Sequence, residues 1–380
     1  AAPDALLPAG LQRALGMITP AGADALEPSR GITETLLAGA GTRRLSFAEF
    51  EDDQPERPSP LIPALTDAVP LPVPACVEAP ESLEVCVDEY GPRPALGGPV
   101  AGGAGLLEHQ ANCPFQAFAR YRLGAADDPD PQAGLDAGER GTFVHEVLER
   151  VYRHFPGAGA LVAADGAARR RVVTEAVAEC VKTLERGAVD AYRRAMLAVE
   201  RDRVIDLITE WLDYDAGRER FEVVATEWRR AVTVGGLALE LRADRVDRLV
   251  DGRLAVIDYK TGQTSGNDWT RTRLAAPQLP LYAVTSEEPV AAVAFATLSP
   301  GECTLTMLGD PEGPVLAERG RRVADDLDWA DRLAYWHAAL EHFAEEFAAG
   351  YARVAPESDV VCRRCRLQTL CRVRSLTPGR

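Results

Sequence analysis

Lysine is nearly absent: of 42 basic residues only Lys182 and Lys260 are lysine, and all the others are arginine. Against that background a retained ammonium at 260 points to a position that needs a compact charge with a tunable pKa, which guanidinium cannot supply. Long apolar runs are missing too; no stretch of 18 or more apolar residues occurs, so no membrane span is expected. The chain starts Ala1-Ala-Pro3, without an initiator methionine or the basic start of a signal peptide, and reads as a piece of a longer cytoplasmic protein. A positive balance is also lacking. The 42 basic and 58 acidic side chains leave −16, which excludes a protein that coats nucleic acid over its whole surface. No Gly-x4-Gly-Lys-[Ser/Thr] loop is present, so ATP binding of the P-loop kind is excluded. There is no internal repeat.

What is present is unevenly placed. Residues 1–100 carry 6 basic and 15 acidic side chains and 15 of the 27 prolines, seven of them from Pro58 to Pro80. Such a stretch cannot propagate a helix or a central strand and reads as loop or linker. Glycines at 97, 98, 102, 103 and 105 mark a boundary, so two parts are expected, 1–100 and 101–380. At the other end, the last 19 residues from Cys362 hold six arginines and no acid, a local basic site within an acidic chain.

After the boundary the patterning becomes periodic. Gly105–Leu123 reads as helical, with Cys113-Pro114-Phe115 inside the helix or at a break in it. Gly138–Phe155 reads as an amphipathic helix, and two more follow between about 165 and 215. Phe221–Val234, Leu237–Val250 and Arg253–Lys260 alternate like strands, with Gly235-Gly236 and Asp251-Gly252 as two-residue hairpin signals between them. Residues 291–298 and 303–308 are further strands, and 322–349 is a long helix with Trp329, Leu333, Trp336, Leu340, Phe343 and Phe347 on its core stripe. Helices, a meander and more helices predict an α/β fold, a mixed sheet packed by helices.

The chemistry gathers at the meander. Asp258 and Lys260 end an apolar strand and share a face at a period of two. The Asp251-Gly252 turn brings Asp244 of the preceding strand alongside. Two converging carboxylates offer hard oxygens to Mg2+, and a lysine beside them can orient or deprotonate a water or offset charge on a phosphate. Asp-x-Lys alone is equally the pattern of surface acids on a hairpin. His145 adds weight, because at 100° per residue it falls about 120° from the apolar stripe of its helix and is not a core histidine. Gly141, one turn earlier, leaves room over that face. Gln278 and Tyr282 open another helix, a natural place to meet a phosphate.

Of eight cysteines, three form Cys362-x2-Cys365-x5-Cys371. Nothing points to secretion, so metal ligation explains the cluster better than a disulfide framework. Cys113 is the best placed fourth ligand; Cys76, Cys86, Cys180 and Cys303 are the others to consider. Four thiolates suit zinc or a [4Fe–4S] cluster, and spacing does not choose between them.

Taken together, Gly141-x3-His145, Ala243-Asp-Arg-Val-Asp247, Asp258-Tyr-Lys260 and Gln278-x3-Tyr282, bracketed by Cys113 and the 362/365/371 triplet, resemble the RecB/AddB-type PD-(D/E)XK nuclease domain, which is also found in exonuclease V-like proteins. The resemblance covers about 100–380. It implies a restriction-endonuclease-like mixed sheet flanked by helices, the C-terminal part of a larger helicase-like nuclease. The segment from Gly102 to Ala119 looks like a bacterial branch of probable DNA repair proteins. By resemblance His145, Asp244, Asp258 and the carbonyl of Tyr259 bind Mg2+ or Mn2+, and Lys260 assists the water. Gln278 and Tyr282 line the DNA path, the four cysteines hold a [4Fe–4S] cluster, and Arg363, Arg364 and Arg366 contact DNA. The implied activity is DNA cleavage at ends or in single strands, in repair or recombination. The family often has glycine three residues before its first Asp, where Leu241 stands here. Residues 1–100 resemble the tail of a helicase-like region through Thr42-Arg-Arg-Leu-Ser-Phe47 and Pro58-Ser-Pro-Leu-Ile62, so a helicase partner or a preceding helicase-like region is expected. Two other readings stay open: a DNA-binding scaffold that keeps the fold without catalysis, and a zinc-stapled structural module.

Overall fold

Gly235 and Gly236 take φ of 51° and 79°, the left-handed backbone that a two-residue turn between twisted strands requires. They join β1 (Glu222–Val234) to β2 (Leu237–Arg248) as a long antiparallel hairpin. β2 then pairs antiparallel with β3 (Leu254–Lys260). The turn between them is longer than the two residues expected. Leu249 N–H bonds to Arg253 O, and Gly252 (φ 86°) returns its N–H to Leu249 O, which leaves three residues at the tip. β4 (Val290–Thr297) lies parallel to β3, β5 (Thr304–Gly309) antiparallel to β4, and the two-residue β6 (Arg321–Arg322) parallel to β5. The order is β1-β2-β3-β4-β5-β6, a six-stranded mixed sheet.

The computed structural model describes residues 26–39, 41–43, 45–51, 53–59, 61–62, 88–95, 98–126, 134–186, 191–262, 266–271 and 273–372. The chain divides into two units, Ala1–Val85 and Cys86–Arg380. In the first, the described residues include a helix, Leu26–Ala38, and a short hairpin of Phe50–Glu51 with Gln54–Pro55. The stretch from Pro63 to Pro80, Cys76, Cys86 and Arg374 lie outside the described residues.

The second unit carries the sheet and its helices. α1 (Ala104–Asn112) and α2 (Pro114–Tyr121) occupy the stretch expected as one helix. The break is Cys113, held extended (φ −168°, ψ 117°) because the following proline disfavours helical backbone at the residue before it. α3 (Ala137–His154) begins with a complete capping box, Asp136 accepting from Glu139 N–H and the Glu139 side chain accepting from Asp136 N–H. α4 (Ala158–Ala163), α5 (Gly166–Arg186) and α6 (Ala191–Ala216) follow. With α3 they bury Val147, Val151, Val177, Ile208 and Trp211 against Ala255, Ile257 and Ala294 of the sheet. α7 (Gln278–Thr285) and α8 (Trp329–Ala349) pack Leu281, Trp336 and Phe343 with Val256, Val293 and Leu239 in a second core. α8 starts seven residues later than expected. Arg321–Arg322 is drawn into the sheet, Arg332 binds Asp325 (Nε–Oδ2 2.7 Å), and Asp328 caps the helix by accepting from Asp331 N–H. α9 (Asp359–Arg364) and α10 (Gln368–Cys371) complete the described chain. Residues 88–95 and 98–100, assigned by composition to the N-terminal part, are bound to this unit through Ala352 N–H to Glu89 O and Val100 N–H to Ala238 O. No helix among the described residues is long and apolar enough to cross a membrane.

Candidate active site

The β2–β3 ladder ends at Arg245 and Ile257, and the next residue on each strand is an aspartate, 244 and 258. Beyond that pair Tyr259 donates its N–H to Asp244 Oδ2 (2.8 Å). A side-chain carboxylate thus takes the position of a ladder carbonyl. α3 crosses this end of the sheet and lowers His145 onto it, with Nε2 3.1 Å from Tyr259 O and Nδ1 3.3 Å from Asp244 Oδ1. The side chain is 19% exposed, off the core stripe as its helical position predicts. Burial works against charge on the imidazole, but the hydrogen bond and charge of Asp244, with Asp258 and Tyr259 O, outweigh it and raise the His145 pKa. The proton held there is the one a divalent cation displaces when it takes the nitrogen.

Asp258 is almost fully buried. Its pKa is pushed up to about 6, by burial first and by Asp244 second, against the pull of Lys260. Lys260 Nζ lies 2.7 Å from Asp258 Oδ2, an ion pair at the buried end of the strand. For Lys260 burial disfavours charge and the carboxylates of Asp258 and Asp244 more than compensate, so its pKa is raised. It is therefore held as an ammonium, which favours charge stabilisation over proton abstraction among the roles its sequence position allows. The Tyr282 hydroxyl is buried without a hydrogen-bond partner, and its pKa is raised by burial and then by Asp244 and Asp258, which places it within reach of their field. Gln278 is half-buried at the first residue of α7.

Glu227 was not foreseen. It lies on β1 opposite Asp244 in the hairpin register, in a left-handed conformation (φ 50°) costly for a residue with a side chain. Its carboxylate lies 4.0 Å from His145 Nδ1 and is paired with Arg242. His145, Glu227 and Asp244 each present a ligand atom within 4.8 Å of the others, the one such set among the described residues. Carboxylates crowded enough to raise one pKa and this three-residue set fit a hard divalent cation, with Asp244, Asp258, the Tyr259 carbonyl, His145 and Glu227 as the available donors.

Arg245 and Asp247, the other half of the Asp-Arg-x-Asp motif, turn away from this corner. Arg245 forks onto Asp247 (2.5 and 2.8 Å) and reaches Asp215 (2.9 Å), while Arg218 binds Asp215 (2.7 Å) and Asp247 (3.2 Å), all fully buried. Tyr152 donates to Asp215 (2.6 Å), and Arg245 approaches the Tyr259 hydroxyl at 3.4 Å. Two cations and two anions close on themselves behind Tyr259. Such a network contributes little net stability against an apolar alternative but fixes one arrangement, here the strand end whose carbonyl faces His145.

A pH dependence follows. The Asp258 pKa is raised to about 6 from 3.8, and that of His145 is also raised, so the folded protein holds protons that the unfolded chain has released. Their contribution to stability is present at low pH and lost as pH rises through those folded values. In EDTA the melting temperature should fall between pH 5 and pH 8. Mg2+ should restore it at pH 8 and do little at pH 5, as scanning calorimetry will read; a Mg2+ effect equal at both pH values would contradict this site.

The second constellation lies at the corner between α1 and α2. Cys113, Cys362, Cys365 and Cys371 line one small cavity with Gln116 and Gln368. None is in a disulfide. Cys180 is buried in the α5 core and Cys303 bonds to Ser299 O, so neither belongs to this group. Leu367 donates its N–H to Cys365 Sγ (3.4 Å). Burial pushes the thiols of Cys113 and Cys365 up, while backbone N–H groups pull the other way. Four converging thiols with N–H donors are a fitting donor set for a thiolate-bound metal centre. Arg363, Arg364 and Arg366 are exposed around it. Arg364 and Cys365 also line a cleft of about 610 Å3 with Arg120, Arg271 and Glu108, and Glu108 acts on the Lys260 ammonium. Leu241, standing where the family often has glycine, points into the core at 2% exposure and obstructs nothing.

The profile of the PD-(D/E)XK nuclease superfamily matches residues 104–372, a span that takes in both constellations. Among solved structures, one described as "Crystal structure of SSO0001" is similar at 15% identity, covering 70% of this chain and 93% of that one with a TM-score of 0.24. No curated protein matches.

Proposed function

The chain belongs to the PD-(D/E)XK nuclease superfamily, and from that premise we propose that it is a Mg2+-dependent deoxyribonuclease of the RecB/AddB type, acting on DNA ends or single strands in repair or recombination. The observation that carries this reading is the convergence of Asp244, Asp258, Lys260 and His145 at one splayed strand end. An intact set of this kind favours catalysis over a scaffold role. A bound Mg2+ would supply Lewis acidity and an activated water. Asp244 and Asp258 would hold it, with the Tyr259 carbonyl and His145, and Glu227 stands close enough to add a donor. Lys260, kept as an ammonium by its carboxylate neighbours, would offset charge at the scissile phosphate. Gln278 and the partnerless Tyr282 hydroxyl would face the strand, and the cleft with Arg120, Arg271 and Arg364 gives it a path. Because residues 1–380 contain no P-loop, unwinding is assigned to a helicase partner or to a preceding helicase-like region.

The cysteine corner would hold a [4Fe–4S] cluster as a structural staple. Zinc and a [4Fe–4S] cluster both accept four thiolates, so the choice of iron follows the family resemblance and is read by metal and sulfide analysis of the purified protein.

The test is cleavage of labelled single- and double-stranded DNA. Mg2+ or Mn2+ should support it, and Ca2+, with its looser coordination, should not. Lys260→Arg should lose at least about a hundredfold, since a planar guanidinium does not reproduce a point charge against Asp258. Cutting that persists in excess EDTA rules the reading out.

A further inference from the structure

The outer half of the β1–β2 hairpin has one face that the second core covers and one that it does not. Leu237, Leu239, Leu241 and Ala243 are buried in that core, while Glu240 and Arg242 on β2 and Arg229, Ala231 and Thr233 on β1 alternate with them and are exposed. On the open side Arg229 is the direct cross-strand partner of Arg242. Like charges directly opposite destabilise an antiparallel pair. Arg242 is offset by Glu227, one step nearer the carboxylate corner, and also lies in the field of Asp244. Arg230 is turned to Glu287 (3.0 Å) and to the ring of Trp228. Arg229 makes no ion pair or ring contact with any described residue. A shallow depression of about 480 Å3 lies over this part of the hairpin, with Arg229, Arg242 and Glu240 in its lining.

We propose that the Arg229–Arg242 pair is a phosphate subsite, taking a backbone phosphate of the bound DNA strand next to the one held at Asp244 and Asp258. The assignment rests on the nuclease reading above and extends it to a second contact. The pair is two residues along the strand from Glu227 and Asp244, about 6.8 Å, a span comparable with one nucleotide step of an extended backbone. Two guanidiniums facing the same space suit the oxygens of one phosphate. An anion between them removes the cross-strand repulsion, which gives a physical reason for two arginines in register on an exposed face. Glu240, two residues further out on the same face, repels the next phosphate, so the subsite takes one phosphate and the track stops there. A chain of net −16 needs such a local cationic step to keep a polyanion beside its carboxylates.

The experiment measures affinity for a fluorescein-labelled single-stranded oligonucleotide by anisotropy across salt concentrations, in the Asp258→Asn background so that nothing is cut. Cleavage by otherwise unsubstituted protein is read in parallel. Arg229→Gln should weaken binding about tenfold at physiological salt and reduce the slope of log K against log[salt] by about 0.7 to 0.9, the value of one phosphate contact. Arg229→Lys should keep most of the slope. Arg171→Gln, on the exposed side of α5, should change neither. The melting temperature of Arg229→Gln should be no lower than that of the parent, because a repulsion is removed. If Arg229→Gln binds with the parent's affinity and slope while the unsubstituted protein cuts DNA, the subsite is overturned and the nuclease reading stands. If the unsubstituted protein neither binds nor cuts DNA, both fall together.

Discussion

Asp258→Asn and Asp244→Asn are each expected to lower DNA cleavage by a factor on the order of 10^3 or more, about 4 kcal/mol of transition-state stabilisation, without lowering the melting temperature of the metal-free protein at pH 8. The two halves of this expectation have one cause. At that pH the corner holds two carboxylates, and burial together with Asp244 already disfavours ionised Asp258, raising its pKa to about 6. Asparagine has the same shape and removes one of the crowded charges, and at 244 it can still accept the Tyr259 N–H that Asp244 Oδ2 accepts at 2.8 Å. Ionised oxygens for a cation are lost, and a repulsion is lost with them. A residue kept for the fold loses stability when changed; one kept for chemistry at the fold's expense loses activity and gains or holds stability. Steady-state cleavage beside thermal melts in EDTA decides. Full activity in either variant removes the proposed metal site. A matched fall in activity and melting temperature makes the aspartates structural.

The register of that corner was more legible than the sequence reading made use of. Counting eight residues outward from each side of the Gly235-Gly236 turn sets Glu227 opposite Asp244, between the observed pairs Trp228–Ala243 and Thr226–Arg245. The meander was recognised and Asp244 and Asp258 were brought together, but the first strand was counted only as a strand. Glu227 belongs to no motif, and its left-handed backbone (φ 50°) is set by tertiary packing that local propensity does not encode. Asp215, Arg218 and Tyr152 were illegible for a related reason. A closed buried ion network is defined by partners far apart in sequence, and each member alone looks like a surface residue on a helix or turn. The late start of α8 shows competition at short range. Residues 322–328 are compatible with helix, yet Arg321–Arg322 gains a ladder partner and Asp328 gains a capping role that continued helix would forgo.

Replacing Cys113 by serine is expected to produce the largest loss of stability. Cys113 precedes the nuclease motifs and Cys362, Cys365 and Cys371 follow them, and all four line one cavity. A cluster bound there links chain positions about 250 residues apart, and loop-closure reasoning assigns about 5 kcal/mol to such a crosslink. That is within the range of a whole domain's stability, so a fall of about 10 °C or more in melting temperature should follow its loss. The geometry adds a local reason. Cys113 is the extended residue that separates α1 from α2, and Phe115 N–H and Glu357 N–H hold the 353–357 strand of chain to this corner through Arg353 O and Asn112 O. Loss of the staple therefore loosens the cleft wall that carries Arg364 and Glu357. Anaerobically prepared protein should be brown, and Cys113→Ser should be pale, with less iron and sulfide, a lower melting temperature and weaker DNA binding in the same sample. Cys180→Ser, in the α5 core away from the cavity, should keep the colour. Zinc in place of iron in the purified protein would make the corner a zinc staple. A Cys113→Ser protein that keeps colour and stability would show that the fourth ligand is another residue, because the remaining three thiols cannot complete a four-thiolate site without it.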